Sequence, residues 1–420
     1  MTRLGGWLGW LVIPTVLAMQ AADLRRGLHG GPAIISAYLV GFTLLSVVCA
    51  PWILRRWGEL DRSVRWMAAL FTALLGYALL TACLIELPFV QDIQVTRPIV
   101  IVPLVTSFVT MAAAAGVVLV MPRADRLRRM WWAVWLVIGC SLAGWPRAVA
   151  VHESVRLSSA MGGAAVLHVV MLTCLAFFLG CLIQGFRQKA SAVGAVVALL
   201  AVMATGSRAG LAALAVFIGL AALWALGRGL GRWAGWLVAA AGLVFVAALL
   251  IFPSMRRLLS ITEPRRALNL RTALDVWSRD PVSQFIGVGS GRLWPWYALD
   301  VQMIPAPGGL LVRTVYGKVL GSPHSTYLAV LVELGVVGAL LLAAMLGVLG
   351  WRLVGMWRDG RDAVSLMCTM AIVASLLTWL FDTYLLKNFG VSFWWWLIVF
   401  SAVGRRGDRP SPAPAPAATV

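Results

Sequence analysis

Long apolar runs recur along almost the whole chain, and they restrict its fold more than any other feature. A run of about 18 or more apolar residues is long enough to cross roughly 30 Å of hydrocarbon as a helix. Of the 420 residues, 61% are hydrophobic and only 12% are charged, against about 25% charged in ordinary soluble domains. We therefore predict an all-α polytopic membrane protein.

The spacing of these runs predicts about twelve transmembrane helices, with one large polar interruption between helices 9 and 10. The first run has a minimal charged start, and we interpret it as a retained span rather than as a signal peptide. The predicted spans are 5–22, 32–54, 66–88, 98–121, 130–149, 160–186, 190–207, 209–227, 233–252, 324–349, 363–381 and 386–403.

Charge asymmetry predicts the orientation of these spans. If the N-terminus is cytoplasmic, the inside loops collect most of the Lys and Arg residues, as the positive-inside rule requires. The chain then divides into helices 1–9 (1–252), an outer loop with amphipathic helices and the active-site region (253–323), helices 10–12 (324–403) and a cytoplasmic tail (404–420). We expect the Pro- and Ala-rich tail to be disordered. The net charge of +19 is explained by these loops, so we predict no nucleic-acid partner.

His324 is the first candidate for chemistry, because it follows Ser322 and Pro323 where the tenth span begins. Ser is a good N-cap and Pro suits the first helical position, so we predict His324 in the first helical turn. The positive helix end favours a neutral imidazole there, and a neutral imidazole is what a general base requires. The alternative is a histidine that only anchors the helix at the interface.

Four arginines are candidates for binding an anion. Arg208 lies between two spans with almost no loop, where it either binds an anion or extends towards the headgroups. Arg265, Arg266 and Arg271 lie in a predicted amphipathic helix on the membrane, whose apolar face would be Leu270, Leu274 and Trp277. Guanidinium groups match phosphate oxygens, but plain attraction to anionic lipid explains the same arginines.

Three alternating glycines, Gly287, Gly289 and Gly291, form a second candidate feature in the polar segment. Such a loop brings backbone close to a phosphate or a sugar, although a lone glycine cluster is a weak signal. No HExxH, GxSxG or P-loop motif is present. The six cysteines lie in apolar runs without a CxxC pair, so we predict no metal and no cofactor.

Together these features resemble the O-antigen ligase and O-antigen polymerase superfamily of bacterial envelope glycosyltransferases. That family also has twelve spans with a large periplasmic loop between spans nine and ten. It often has Asn after the histidine, where this chain has Ser325. The matching segments are Ser207–Leu211, Arg271–Trp277, Asp280–Gly291 and His324–Gly335.

The resemblance implies an enzyme of the Gram-negative inner membrane with its active site facing the periplasm. It implies transfer of O-antigen from undecaprenyl diphosphate to the lipid A–core oligosaccharide, inverting and without a metal, with His324 as base and arginines on the diphosphate. The alternatives within the superfamily are an O-antigen polymerase and a protein O-oligosaccharyltransferase. A non-enzymatic lipid or polysaccharide transporter is the alternative from another class.

Overall fold

The computed structural model describes most of the chain, and the account below concerns those residues only. The predicted span 233–252 and the predicted tail 404–420 lie almost entirely outside them. The described ranges are 7–21, 32–86, 89–90, 93–152, 155–232, 264–300, 311–360 and 362–404, with single positions between 235 and 246.

Helices dominate the described residues. Short 3₁₀ turns follow α2 (Trp57–Glu59) and α13 (Leu376–Leu380), and a π turn (Val399–Val403) follows α15. The helices are α1 (Val12–Ala21), α2 (Pro32–Arg56), α3 (Arg62–Leu84), α4 (Arg97–Val120), α5 (Arg123–His152), α6 (Ala164–Ile183), α7 (Gln188–Ala204), α8 (Arg208–Gly227), α9 (Pro264–Trp277), α10 (Pro281–Ile286), α11 (Trp296–Asp300), α12 (Thr326–Asp359), α13 (Ala363–Ser375), α14 (Tyr384–Lys387) and α15 (Phe389–Ile398).

Helix length and apolarity confirm the class of helical membrane protein. Shorter apolar helices occupy Gln188–Ala204 and Phe389–Val403, and α12 continues well beyond the predicted end of its span at residue 349. The total of twelve spans stays a prediction. Among the described residues, 7 helical segments are long and apolar enough to cross a membrane: Ser36–Glu59, Arg62–Leu84, Arg97–Val120, Ala164–Ile183, Arg208–Gly227, Thr326–Asp359 and Ala363–Leu380.

Helix α15 lies at the centre of the bundle, because all of its side chains are buried. A helix that is apolar on every side is typical of such a position. Its three consecutive tryptophans, Trp394, Trp395 and Trp396, are fully buried. The indole of Trp394 donates a hydrogen bond to Thr173 Oγ1 of α6 at 2.9 Å, which ties the two central helices together.

Ion pairs gather the predicted inside segments at one end of the bundle. Arg352 of α12 contacts Asp61 before α3 at 3.2 Å, and the Asp61 N–H donates to the carbonyl of Gly404 at 3.1 Å. Arg123 of α5 contacts Glu59 at 3.3 Å. The arginine-rich segments that the charge rule assigns to one side therefore do share one end, as an inside assignment requires.

A small antiparallel sheet lies at the opposite end, beyond the last residue of α3. Its strands are β1 (Phe89–Val90), β2 (Ile93–Gln94), β3 (Leu311–Thr314) and β4 (Gly317–Leu320), in the order β2-β1-β3-β4. Val90 pairs with Thr314, so the connection after α3 is joined to the long polar segment. The prediction of helices alone missed this sheet, because strands of two to four residues leave almost no periodic signal.

Helix α12 is broken at Gly335, where φ is 63° and ψ is −163°. The break allows the preceding turn to accept hydrogen bonds from the polar segment. The N–H of Val288 donates to the carbonyl of Val332 at 3.0 Å, and that of Gly289 donates to the carbonyl of Glu333 at 2.9 Å. The polar segment is therefore attached to the bundle through backbone atoms.

Replacing Gly335 by Ala should destabilise the protein, because this backbone conformation is essentially restricted to glycine. The strain alone costs about 1–3 kcal/mol, and an added Cβ would lie 2.4 Å from the nitrogen of Gly287. Gly347→Ala in the same helix is the matched control, since nothing lies within 4 Å of its Cβ position. We expect a lower thermal midpoint in detergent for Gly335→Ala only. Equal midpoints for the two variants would contradict the break.

Candidate active site

His324 lies between β4 and α12 in a left-handed backbone conformation, with φ 53°. The prediction that it occupies the first helical turn is wrong. The N-cap is Ser325, whose hydroxyl accepts a hydrogen bond from the Leu328 N–H at 3.2 Å. The left-handed turn at His324 redirects the chain, so the helix begins two residues later. A positive φ is uncommon outside glycine and marks a position that its surroundings hold in place.

Asn269 of α9 is the residue that holds the segment before His324. Its side-chain amide donates to the carbonyl of Pro323 at 3.1 Å. Its oxygen accepts from the Trp294 indole at 3.0 Å and from the Leu320 N–H at 3.1 Å. Because the side chain is 2% exposed, losing these bonds would leave buried polar groups unpaired. Sequence reasoning missed this residue, whose only signal is a polar side chain in an Arg- and Leu-rich helix.

The face of α9 that contacts the protein is Asn269, Ala273 and Val276. Arg265 and Arg266 precede Asn269 by four and three residues, which places them beside that face on a helix of 3.6 residues per turn. Arg271 follows Asn269 by two residues, and its Cα direction is therefore rotated by about 200°. By this helical geometry, Arg265 and Arg266 start from the side of α9 that holds Pro323, and Arg271 starts from the far side.

The predicted apolar face of α9 is turned away from the protein. Leu270 is 46% exposed and Leu274 is 40% exposed, which is what contact with a membrane surface requires. Trp277 is half-buried, and its indole donates to the carbonyl of Gln284 at 3.2 Å. Binding of this helix to lipid stays a prediction.

Asp382 follows the 3₁₀ turn after α13 and supports the start of α12. Its carbonyl accepts hydrogen bonds from the N–H and the hydroxyl of Thr326, at 3.1 Å and 2.9 Å. Burial raises the pKa of its carboxyl to about 6, while the Thr383 N–H and the cations Lys387 and Arg266 act in the opposite direction. Arg266 is thus within electrostatic range of a carboxyl beside the His324 segment, and no sequence pattern predicted this pairing.

A small cavity of about 70 Å³ opens next to the segment before His324. The Lys387 ammonium lies over the Trp296 ring, 5.4 Å from its centroid, so the cavity combines a cation, an acid and aromatic walls. Its lining includes Gly291, Trp294, Trp296, Pro323, Glu333 and Lys387.

The three glycines of the predicted substrate loop pack against the protein. A Cβ on Gly287 would lie 2.3 Å from the carbonyl oxygen of Glu333, and those on Gly289 and Gly291 would meet Ile85 and Val100. The Glu333 carboxylate accepts a hydrogen bond from the N–H of Trp294 at 3.3 Å. Close packing therefore accounts for the glycines, and a substrate contact from this loop stays a prediction.

Arg208 is the first residue of α8 and is exposed. Ser207 caps this helix by accepting from the Gly210 N–H at 3.2 Å. Helix α8 packs against the 3₁₀ turn Leu376–Leu380, which leads directly to Asp382. The structure therefore places Arg208 at the same end of the bundle as His324.

The fold and the site define a polytopic helical membrane protein with a cationic site at one end of its bundle. Residues 193–343 match the family model described as O-Antigen ligase. That segment runs from α7 into α12, and it holds every site residue that the sequence predicted. The match over this segment supports the resemblance of the chain to the O-antigen ligase superfamily. The superfamily comprises membrane enzymes of the ligase and polymerase type. Among curated proteins, no match to the chain was found.

The raised pKa of Asp382 predicts how stability depends on pH. The folded state holds the carboxyl proton more tightly than the unfolded chain does, so folding is favoured most at low pH. This contribution should be lost as the pH rises from about 4 to about 6. Thermal midpoints measured across that window should fall for the wild type and fall less for Asp382→Asn. Asp275→Asn, at an exposed position of α9, is the control and should follow the wild type. A wild-type slope in Asp382→Asn would contradict the assignment.

Proposed function

We propose that this protein is an O-antigen ligase, which transfers O-antigen polysaccharide from undecaprenyl diphosphate to the lipid A–core oligosaccharide. The reaction would take place at the periplasmic face of the Gram-negative inner membrane. One observation carries the proposal: Asn269 joins the segment before His324 to α9, on the side that holds Arg265 and Arg266. In this proposal, His324 and the two guanidinium groups act together at this end of the bundle, where Pro323 lines a small cavity.

The arginines would stabilise the leaving group. When the bond between the anomeric carbon and the diphosphate oxygen breaks, its electron pair stays on that oxygen. Fixed cations at the place where charge develops lower the barrier without further reorganisation, and guanidinium groups bind phosphate oxygens in a bidentate manner. We assign this role to Arg266 and Arg265, with Arg208 contributing from α8. In this proposal, the side chains take the part that a divalent ion plays elsewhere.

His324 would act as the general base. The acceptor hydroxyl oxygen attacks the anomeric carbon, and its proton passes to the neutral imidazole. Attack opposite to the leaving diphosphate inverts the anomeric centre. The left-handed backbone and the Asn269–Pro323 hydrogen bond fix the segment that carries the ring, and such positioning is what a base within hydrogen-bond reach requires.

His324→Ala should abolish most of the transfer without unfolding the protein. Loss of a general base typically costs about 10²–10⁴-fold in rate, so we expect product formation to fall at least about a hundredfold. The assay uses purified protein with carrier-linked glycan and core acceptor, and the thermal midpoint serves as the folding control. Near-normal turnover would remove His324 as the base.

Arg266→Gln and Arg271→Gln form a matched pair, because both positions are exposed on α9 and lie on different sides of it. We expect Arg266→Gln to reduce kcat/KM for the carrier-linked donor by about 10-fold to 100-fold, the value of a charge-assisted hydrogen bond. Arg271→Gln should have a much smaller effect. The reverse order would place the diphosphate on the other side of α9.

The alternatives within the superfamily share this donor chemistry, and a loss-of-function strain separates them. Fully elongated glycan that remains on the carrier supports the ligase, whereas single-repeat glycan on the carrier supports the polymerase. Glycan missing only from proteins supports a protein O-oligosaccharyltransferase. Retained transfer activity with failed movement of carrier lipid between leaflets supports the transporter.

A further inference from the structure

Two arginines share one tyrosine ring near the C-terminal end of α9. The Arg279 guanidinium lies 5.7 Å from the centroid of the Tyr316 ring, and that of Arg292 lies 5.5 Å from it. Arg279 follows α9, and Tyr316 lies in the turn between β3 and β4. Arg292 directly follows the loop that contains Gly287, Gly289 and Gly291, which we call the glycine loop. Three separate segments therefore bring two cations to the same ring, and the positive potential that they create favours an anion there.

The two acids near this pair, Asp280 and Glu333, accept hydrogen bonds from other groups. Asp280 caps α10, with one carboxylate oxygen 2.8 Å from the Ser283 N–H and the other 2.7 Å from its hydroxyl. Glu333 accepts from the N–H of Trp294. Within the described part of the chain, neither Arg279 nor Arg292 has a carboxylate within 4.0 Å.

The guanidinium group of Arg292 includes a buried hydrogen-bond donor. Its Nε atom is buried and has no hydrogen-bond partner among the described residues. A buried donor without an acceptor is costly, and a guanidinium with a free Nε–H offers the geometry that binds phosphate or carboxylate. The neighbouring Tyr316 hydroxyl can donate a further hydrogen bond.

This cluster is separate from the proposed diphosphate site. Helix α9 ends at Trp277, eight residues or about 12 Å beyond Asn269, and Arg279 lies past that end. Both sites belong to the extramembrane segment and lie along α9. A glycan whose reacting sugar is beside His324 can therefore extend along α9 to the cluster.

We propose that Arg279, Arg292 and Tyr316 form a binding subsite for an anionic substituent, a phosphate or a carboxylate, on a sugar of the reacting glycans. The subsite lies away from the reacting centre and would select substrates by charge. The inference rests on the proposed function, because it takes a glycan as the ligand. The anionic sugar belongs either to the donor glycan or to the acceptor oligosaccharide.

Equilibrium binding tests the subsite without turnover. Glucose 6-phosphate, glucuronic acid and neutral glucose are titrated into the full-length protein in detergent, and binding is followed by saturation-transfer NMR. We expect an anionic sugar to bind the wild type and the control Arg313→Gln, which removes an exposed cation from β3. Arg292→Gln and Arg279→Gln should each weaken this binding about 10-fold to 100-fold. Arg279 is exposed, so its variant remains informative if Arg292→Gln does not fold.

Steady-state kinetics identify the source of the anion. Arg292→Gln should raise KM only for the substrate that bears the anionic sugar and leave kcat unchanged, and the effect should vanish when that group is removed enzymatically. Equal binding by the wild type and both variants, or an equal loss in Arg313→Gln, overturns the subsite. Binding that follows the expected pattern in a protein without transfer activity would overturn the proposed function and retain the anion site.

Discussion

The whole candidate site depends on two backbone hydrogen bonds at the break in α12. A continuous helix would use the carbonyls of Val332 and Glu333 internally, but the non-helical backbone of Gly335 makes them available to Val288 and Gly289. Helix α10, the glycine loop and the tryptophans after it are thereby fixed to a membrane-spanning helix. Side chains on this loop then gain defined positions relative to the start of the same helix, where His324 lies.

Hydrogen bonds and charges have different roles at this end of the bundle. The buried polar atoms of Asn269 set the position of the chain on both sides of the β4–α12 connection. Arg265 and Arg266 lie at exposed positions of α9, where an incoming anion can reach them. Electrostatic attraction to the Asp382 carboxyl stabilises Arg266 at this position. The backbone carbonyl of Asp382 fixes Thr326, the first residue of α12. A scaffold of neutral hydrogen bonds and a surface of cations suit an anionic lipid substrate.

The sequence predicted the parts whose signal is local. Apolar runs predicted the membrane helices. The amphipathic period of the Arg-rich segment predicted α9. The glycine spacing marked a loop of close approach, although its contacts are with Glu333, Ile85 and Val100. Interactions between distant segments could not be read in this way. Asn269 and Asp382 gain their roles from residues more than fifty positions away, and the N-cap moved from Ser322 to Ser325 because the turn at His324 depends on tertiary contacts.

The central claim is that one side of α9 gathers the carrier diphosphate beside the His324 segment. A structure of the full-length protein bound to undecaprenyl diphosphate tests it most directly. The account predicts both phosphates within hydrogen-bond distance of the Arg265 or Arg266 guanidinium groups, at the end of the bundle that holds His324. Phosphates bound beside Arg271 on the far side of α9, or at the end that holds Asp61 and Arg352, would contradict it.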